Sequence, residues 1–513
     1  MRIEDFDIEL VALPGAAPVW RARVEAGEWR RLCQQAHAKG GRLVALWGSD
    51  ERGRGRGFSV NVALVIRSGL VWLTLSADND VYPGIADIFP VANRMQRTIS
   101  DLLGIHAQPT GDTRPWLRHA AWPEQEYPLR KDFDAHTPHP AASQVYPFVT
   151  VEGDGVHEIP VGPVHAGIIE PGHFRFSVLG ERILRLEERL GYTHKGVEKL
   201  FETLTLEEGA RLAGRISGDS TVAYAWAYAM AAESASGITP PDRAMWLRAL
   251  LLERERIANH LGDLGALGND AGLAFGLAQF SRLKEDWLRT NADLFGHRYL
   301  MDCIVPSGVQ NDLDERAIGR LSIELDVLAK DVAELRIIYD DHAGLQDRFI
   351  NAGCVTPELA VQLGLCGLAG RASAQAWDLR AQFPSAPYDQ LDVHMATHSN
   401  GDVAARVTVR FDEVHEAIRL CRLILHGMPG GSVLSALPKC SNDAHGVGWV
   451  EGWRGEVFIA LEAGADNRIH RLHPHDPSWQ NWPLLEHAVL DNIVPDFPLI
   501  NKSFNLSYSG HDL

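Results

Sequence analysis

Residues 240–267 have the sequence PPDRAMWLRALLLERERIANHLGDLGAL, in which apolar residues recur at helical spacing. The two prolines stand just before the first turn, where a helix tolerates the missing N–H. Upstream, residues 221–232 are mostly alanine and aromatic. A run of that length fits a buried helix and is too short to span a membrane. The sequence therefore predicts two neighbouring helices in the middle of the chain.

The regions on either side of these helices predict an α+β fold. Residues 1–122 alternate short apolar runs with helical patterns, which indicates a small α/β domain. Residues 123–150 are rich in proline, histidine and charge and predict a surface linker. Residues 151–513 predict a mainly helical domain with a small sheet. The predicted elements are strands at 42–48, 58–65, 69–75, 156–161 and 173–178, strand alternation over 447–459, helices at 85–104, 243–267, 313–341 and 412–426, and an irregular segment over the last 40 residues.

Composition narrows the possible functions. The chain has 513 residues, of which 45% are hydrophobic and 23% charged, as in ordinary globular proteins. Its net charge of −18 argues against binding to nucleic acid or to an anionic membrane surface. Its six cysteines are too widely spaced for a disulfide framework, an iron–sulfur motif or a zinc motif, and they fit a reducing cytoplasm. No segment has the length and apolarity of a membrane span, so any membrane association is expected through partners.

Several segments together carry a family resemblance. They are GPVH at 162–165, EPGHFRF at 170–176, LGYTHKGVEK at 190–199 and ERERIANHL at 253–261. These segments resemble the quinone-site subunit of respiratory complex I and the large subunits of group 4 nickel–iron hydrogenases. Residues 91–105, 111–118 and 127–133 resemble the small hydrophilic subunit that flanks the quinone-site subunit. Fusion of both parts in one chain is typical of formate-hydrogenlyase-type hydrogenases.

The resemblance also identifies the positions that hold nickel in these hydrogenases. Residues 215–220 match the motif Arg-x-Cys-x-x-Cys, with Ser217 and Ser220 at the cysteine positions. Residues 505–510 match the C-terminal Cys-x-x-Cys segment, with Ser507 and Gly510 at those positions. Nickel in this family is held by four thiolates, and a soft metal selects soft sulfur ligands. The expectation is therefore that this chain binds no metal and does not turn over hydrogen; a hydrogenase with unusual ligands is nearly excluded.

The resemblance to complex I raises quinone chemistry as an alternative. In complex I a His-x-x-x-His pair, a tyrosine and an aspartate support the quinone headgroup, since histidine and tyrosine can supply protons to a reduced quinone. Here His165 matches the first histidine and Asp270 the aspartate, whereas Ile169 and Gly218 occupy the other two positions. The missing phenol could be replaced by Tyr192 or Tyr224.

Two further residues carry alternative interpretations. The resemblance places Arg215 next to the terminal iron–sulfur cluster of a partner protein, where a fixed cation would raise the cluster's potential. The alternative is an ordinary buried arginine paired with Asp219 or Glu208. Glu170 stands near the glutamate that hydrogenases use as a proton gate. The alternative is a structural glutamate in a cap or an ion pair.

Two other charged groups favour structural roles. The histidine-rich stretch 470–476 invites a metal interpretation, but such a loop by itself lacks the preorganised geometry of a metal site. Glu255, Arg256 and His260 lie at helical spacing and predict an internal ion-pair face.

The resemblance implies a place in a membrane-bound, NADH dehydrogenase-like or hydrogenase-like oxidoreductase complex. The implied partners are a small iron–sulfur subunit and membrane-embedded channel-like and antiporter-like subunits, with the chain on the cytoplasmic face of the inner membrane. Two functions stay open. The chain could deliver electrons from the partner's iron–sulfur cluster to a quinone or another small acceptor, or it could couple conformational changes without redox chemistry of its own.

Overall fold

The computed structural model describes residues 6, 8–139 and 145–513, and confirms the predicted α+β class. The first part of the chain builds a five-stranded sheet with the order β1-β2-β5-β4-β3. The pair β2 and β5 is parallel and the other neighbours are antiparallel. Its strands are β1 (Val11–Leu13), β2 (Val19–Val24), β3 (Arg42–Asp50), β4 (Phe58–Ile66) and β5 (Gly69–Ala77).

Two helices, α1 (Ala26–Ala38) and α2 (Ala92–Leu103), pack on this sheet. The predicted helix over 85–104 is wrong in its first third, because α2 begins only after Pro90. A proline ring clashes with the preceding turn of a helix and disfavours helical backbone just before it. At the other end Gly104 adopts the left-handed conformation with φ 69°, which ends the helix as expected. A two-stranded parallel pair, β6 (Val81–Pro83) and β7 (His106–Gln108), flanks α2.

Beyond β7 the described residues contain no helix or strand until residue 156. The chain then forms an antiparallel three-stranded sheet in the order β10-β9-β8. Its strands are β8 (Val156–Val161), β9 (His173–Leu179) and β10 (Arg182–Arg189). Phe174 and Phe176 on β9 face the core, where both contact Phe497. His173 and Arg175 alternate with them and face the other side of the sheet.

The rest of the chain is mainly helical, as predicted. The first group of helices is α3 (Val197–Phe201), α4 (Leu206–Ala213), α5 (Thr221–Ser236), α6 (Asp242–Asp270), α7 (Ala274–Phe295), α8 (Glu315–Asp341), α9 (Ala343–Phe349), α10 (Pro357–Leu363), α11 (Gly367–Ala372), α12 (Leu379–Gln382) and α13 (Val403–Gly427), with a short hairpin of β11 (Ile304–Val305) and β12 (Gly308–Val309) between α7 and α8. Helix α13 starts earlier than the predicted helix at 412–426, because the Asp402 carboxylate accepts the N–H of Ala405 at 2.8 Å and caps the helix there.

The C-terminal region closes the fold with an antiparallel sheet and three helices. The elements are β13 (His445–Glu451), β14 (Glu456–Ala463), β15 (Ile469–His475), α14 (Ser478–Ala488), α15 (Phe497–Phe504) and α16 (Tyr508–Asp512). The prediction of an irregular C-terminal segment is therefore wrong. Proline at the start of α15 is compatible with a helix. Helix α14 contains Pro483 in its middle and is still helical from Ser478 to Ala488.

The elements stack in layers, and this stacking positions the site. The N-terminal sheet packs against β13–β15, with Trp47 contacting both Phe458 and His473. On its other face the β13–β14 hairpin lies against α5, so closely that a Cβ on Gly448 would sit 1.7 Å from the carbonyl oxygen of Ala227. Helix α5 in turn borders α4 and α6, and α6 packs against α7 and α13. Among the described residues no helix combines the length and apolarity needed to cross a bilayer.

Candidate functional site

The structure brings together the four positions that the resemblance aligns with nickel ligands, three of them in direct contact and Ser220 through Arg454. Ser217 lies in the turn between α4 and α5, and Ser507 caps α16 at the other end of the chain. Their hydroxyl oxygens are 2.9 Å apart. The Ser507 oxygen also accepts the N–H of Gly510 at 2.9 Å. Both serines are buried, so the segments 215–220 and 505–510 meet inside the protein.

An arginine–aspartate pair lies at the centre of this serine cluster, which comprises Ser217, Ser220, Ser507 and Gly510. Arg454, from the turn between β13 and β14, donates two hydrogen bonds to Asp219 at 2.8 and 2.5 Å. It donates a third to Ser220 at 3.2 Å, while Ser217 donates to Asp219 at 2.9 Å. Burial by itself would raise the pKa of Asp219, but the Arg454 charge and its hydrogen bonds outweigh burial and lower it to about 2. A fixed cation and its counter-ion therefore connect the serine positions.

A second carboxylate occupies the space at Gly510. A Cβ at this position would lie 2.3 Å from an oxygen of Asp476 and 2.9 Å from the Ser507 hydroxyl oxygen. The Asp476 carboxylate stays there because it accepts the Tyr224 hydroxyl at 2.7 Å and the N–H of Ser478 at 2.8 Å. The Tyr224 hydroxyl is therefore hydrogen-bonded to Asp476 and not to His165. The side chains that converge at the serine cluster offer hydroxyl and carboxylate oxygens around a guanidinium.

His165 lies beside a tyrosine that the sequence analysis did not select. The histidine belongs to the loop between β8 and β9, and its Nε2 is 3.3 Å from the hydroxyl of Tyr508. The ring of Phe174 meets His165 edge-on at 5.4 Å. Burial lowers the pKa of His165 and raises that of Tyr508, so both groups are neutral near pH 7. Since Tyr508 follows Ser507 directly, the pair adjoins the serine cluster. In the sequence, the one feature that points to Tyr508 as a site residue is its position within the C-terminal motif at 505–510.

The other predicted site residues are dispersed around this centre. Glu170 is exposed and accepts the N–H of Ser509 at 3.0 Å, so it reaches the first turn of α16. Asp270 lies at the end of α6, where burial raises its pKa and the Lys502 charge opposes the rise. Within the described residues no hydrogen bond or ion pair joins Asp270 to His165, and Ile169 cannot receive such a bond.

Arg215 lies at the surface and is not the buried arginine of the alternative interpretation. It forms a bidentate ion pair with Asp302 at 2.5 and 2.7 Å, and its side chain is 34% exposed. Asp219 is paired with Arg454 instead, and Glu208 belongs to the cap of α4. Arg215 borders an open groove of about 650 Å³ along α4, whose apolar lining comes from Leu204 and Leu212.

The predicted ion-pair face on α6 is only partly right. Arg256 pairs with Glu253 at 3.1 Å, and the His260 ring lies 2.8 Å from a Glu413 oxygen. Glu255 instead accepts the N–H groups of residues 222 and 223 at the start of α5. Burial raises the pKa of this carboxyl to about 8. The histidine-rich stretch forms β15, and the described residues contain no group of three or more histidine, cysteine or acidic side chains placed to hold a metal ion.

Comparison with known proteins identifies the class of protein to which this chain belongs. Residues 22–139 match the family model "Respiratory-chain NADH dehydrogenase, 30 Kd subunit", and residues 270–446 match the 49 Kd subunit model. The chain is 31% identical to formate hydrogenlyase subunit 5 of Escherichia coli, over 93% of this chain and 85% of that protein. It is 32% identical to hydrogenase-4 component G of the same organism, over 92% and 84%.

A third relative agrees with this class of protein, and a solved structure has a similar fold. An NADH-quinone oxidoreductase subunit of Bacteroides thetaiotaomicron is 28% identical, over 76% of this chain and 77% of that protein. The fold is similar to a chain of an archaeal membrane-bound sulfane sulfur reductase, with a TM-score of 0.66, 23% identity, and coverage of 70% of this chain and 99% of that one. These likenesses define an oxidoreductase subunit. The chain belongs to the family in which the 30 and 49 kDa subunits of complex I are fused, a family related to group 4 hydrogenase large subunits.

Proposed function

We propose that this chain is the fused subunit of a membrane-bound complex and passes electrons from an iron–sulfur cluster of a partner to a quinone or another small acceptor. Relatives that are subunits of formate hydrogenlyase and of NADH-quinone oxidoreductase support this assignment. The small iron–sulfur subunit would dock at the groove beside Arg215. Channel-like and antiporter-like membrane subunits complete the complex, with this chain on the cytoplasmic face of the inner membrane.

The proposal includes the absence of a nickel centre and of hydrogen turnover. The donors at the serine cluster are hydroxyl and carboxylate oxygens, which do not match a metal that selects thiolates. The Arg454 guanidinium lies among them and would repel a divalent cation. The Asp476 carboxylate occupies the space at position 510. These three observations support a site that is stabilised by its own ion pair.

The test is the nickel and iron content of the native complex, with hydrogen uptake assayed on the same sample. We expect iron without nickel, and no uptake. Formate hydrogenlyase purified in parallel is a suitable positive control for uptake. Stoichiometric nickel together with uptake would overturn this part of the proposal.

The contact between His165 and Tyr508 carries the acceptor part of the proposal. Reduction of a quinone to a quinol requires two electrons and two protons. The electrons would come from the partner's cluster. The Tyr508 hydroxyl could hydrogen-bond the acceptor oxygen and donate a proton to it, and His165 could take up protons from water and pass them on, which restores the phenol and supplies the second proton. The position of Tyr508 next to Ser507 supports this role, because the pair then lies one residue from the serine cluster.

Tyr508→Phe tests this role, since it removes the hydroxyl and keeps the ring. We expect the dithionite-reduced cluster to be reoxidised by added quinone at least ten times more slowly in this variant, because general acid–base groups contribute factors of about 10² to 10⁴. Tyr192→Phe is the matched control, as the Tyr192 ring contacts His119 and not His165. Wild-type rates in the Tyr508 variant would exclude its hydroxyl from the reaction.

The second candidate function is conformational coupling without redox chemistry. It is favoured by the way Arg454, Asp219 and Asp476 fill the serine cluster. Under this function, added quinone would not reoxidise the reduced cluster at any rate, whereas removal of the chain would still abolish ion transport by the complex.

A further inference from the structure

A cavity of about 550 Å³ lies away from His165, on the outer face of the β8–β10 sheet. Residues 145–150 form one wall, and His119 and Tyr192 form the opposite rim. His173 and Arg175 face this cavity from β9, whereas the intervening Phe174 faces the core and contacts His165. The cavity and the His165–Tyr508 pair are therefore on opposite faces of the sheet. Its volume is within the range of small-molecule sites.

Three charged side chains line this cavity. Arg175 forms an ion pair with Glu158 at 2.8 Å, so the charge that is left is that of Arg189. Its side chain is buried, with 3% of its surface exposed. Within the described residues no carboxylate lies at salt-bridge distance from it; its guanidinium donates to the Pro115 carbonyl and lies 4.0 Å from the centre of the Tyr146 ring. Two other buried arginines, Arg248 and Arg371, each contact a carboxylate at 2.6 to 2.7 Å. Arg406 is like Arg189, but its guanidinium donates to a serine hydroxyl and to two backbone carbonyls. A buried cation normally has such partners, so Arg189 leaves positive charge available in the cavity.

Aromatic rings supply the walls. Tyr146 and Phe148 meet edge to face at 4.8 Å on one side. On the other side the rings of His119 and Tyr192 meet at 4.6 Å, and Tyr192 is 39% exposed. His119 is held in the left-handed backbone region at φ 45°, where its Nε2 lies 2.6 Å from the Leu190 carbonyl oxygen. Because Nε2 must donate to that carbonyl, Nδ1 of the neutral ring is left as an acceptor.

We propose that this cavity binds a small planar anion, a ring that carries one carboxylate or phosphate group. The ring packs against Tyr192, the aromatic side chain that is partly exposed at the rim, and the oxyanion is attracted by the charge of Arg189, which has no carboxylate partner among the described residues. A guanidinium matches the planar geometry of a carboxylate or the oxygens of a phosphate better than an ammonium does. The proposal is independent of the electron-transfer function, because it uses none of the residues near the serine cluster.

The test is a calorimetric titration of the purified full-length chain with benzoate, adenosine monophosphate, inorganic phosphate and benzamide. We expect benzoate or adenosine monophosphate to bind at least ten times more tightly than the last two probes, which lack either the ring or the charge. Absence of binding by both anionic ring probes at millimolar concentration would overturn the proposal. Equal affinity for inorganic phosphate would also overturn it, since the walls would then contribute nothing.

Variants assign the binding to this cavity. Tyr192→Ala, at the partly exposed rim, and Arg189→Gln should each weaken binding of the ring probe at least tenfold. Arg182→Gln is the matched control, because Arg182 lies on the same strand and pairs with Asp491 outside the cavity. Thermal unfolding of each sample establishes that it is folded. If Arg189→Gln does not fold, Tyr192→Ala decides the outcome, and wild-type affinity in that variant refutes the site.

Discussion

Substitution of Gly510 by alanine tests whether Asp476 occupies the space of the fourth ligand position. An added Cβ would lie 2.3 Å from the Asp476 carboxylate, a distance that requires the carboxylate to move. Overpacking of this kind costs about 1–3 kcal/mol, and displacement of Asp476 adds about 1 kcal/mol because it weakens the hydrogen bond from Tyr224. Alanine regains about 1 kcal/mol of helix propensity in α16. We therefore expect a net loss of about 1–3 kcal/mol in the free energy of unfolding.

Urea unfolding followed by tryptophan fluorescence measures this loss. Gly218→Ala is the matched control, because no atom lies within 4 Å of a Cβ at that position and its free energy should change by less than about 0.5 kcal/mol. A double-mutant cycle identifies the partner: in an Asp476→Ala background the cost of Gly510→Ala should fall, and only the 2.9 Å contact with the Ser507 oxygen should still oppose the added Cβ. The reasoning is refuted if Gly510→Ala matches the Gly218 control, or if its cost is the same with and without Asp476.

Three further predictions concern the same region. Ser507→Ala should destabilise the chain by about 1–2 kcal/mol in urea unfolding, since Ser217 and the N–H of Gly510 both lose their partner; no loss would contradict the cap. The pKa of Asp219 is depressed to about 2, so its contribution to stability is present above pH 4 and is lost as the pH falls through 2. Asp219→Asn should therefore lose less stability than the wild type between pH 4 and pH 2 in an acid unfolding experiment. An unchanged acid unfolding profile would contradict the pairing of Asp219 with Arg454. Arg215→Gln should leave unfolding unchanged but reduce co-purification of the iron–sulfur subunit, and full recovery would argue against docking there.

The sequence predicted well those parts of the fold that depend on local patterns. Short apolar runs located β3, β4 and β5, whose two faces are both buried, and helical spacing located α6 and α8. Strand-like segments also located β8 and β9. The errors also have local causes, since Pro90 delays the start of α2 and prolines near helix starts made the C-terminal segment look irregular.

The candidate site was less predictable, because its contacts join distant parts of the chain. The resemblance singled out Ser217 and Ser507, whose hydroxyls prove to be adjacent. It could not show that Arg454 would reach Asp219, or that Tyr508 would approach His165, since no spacing rule links residues more than two hundred positions apart. The predicted domain limits at residues 122 and 150 stay predictions. Buried side chains from residues 1–122 and from residues 151–513 belong to one continuous core.

The contact of α5 with the β13–β14 hairpin has a mechanical consequence. At Gly446 and Gly448 the two backbones touch without intervening side chains, so this interface cannot absorb a shift by changing rotamers. The same helix starts beside Ser220, and the same hairpin carries Arg454 at its turn. A displacement of the turn that contains Ser217 would therefore move α5 and the hairpin together, and with them the Arg454 side chain.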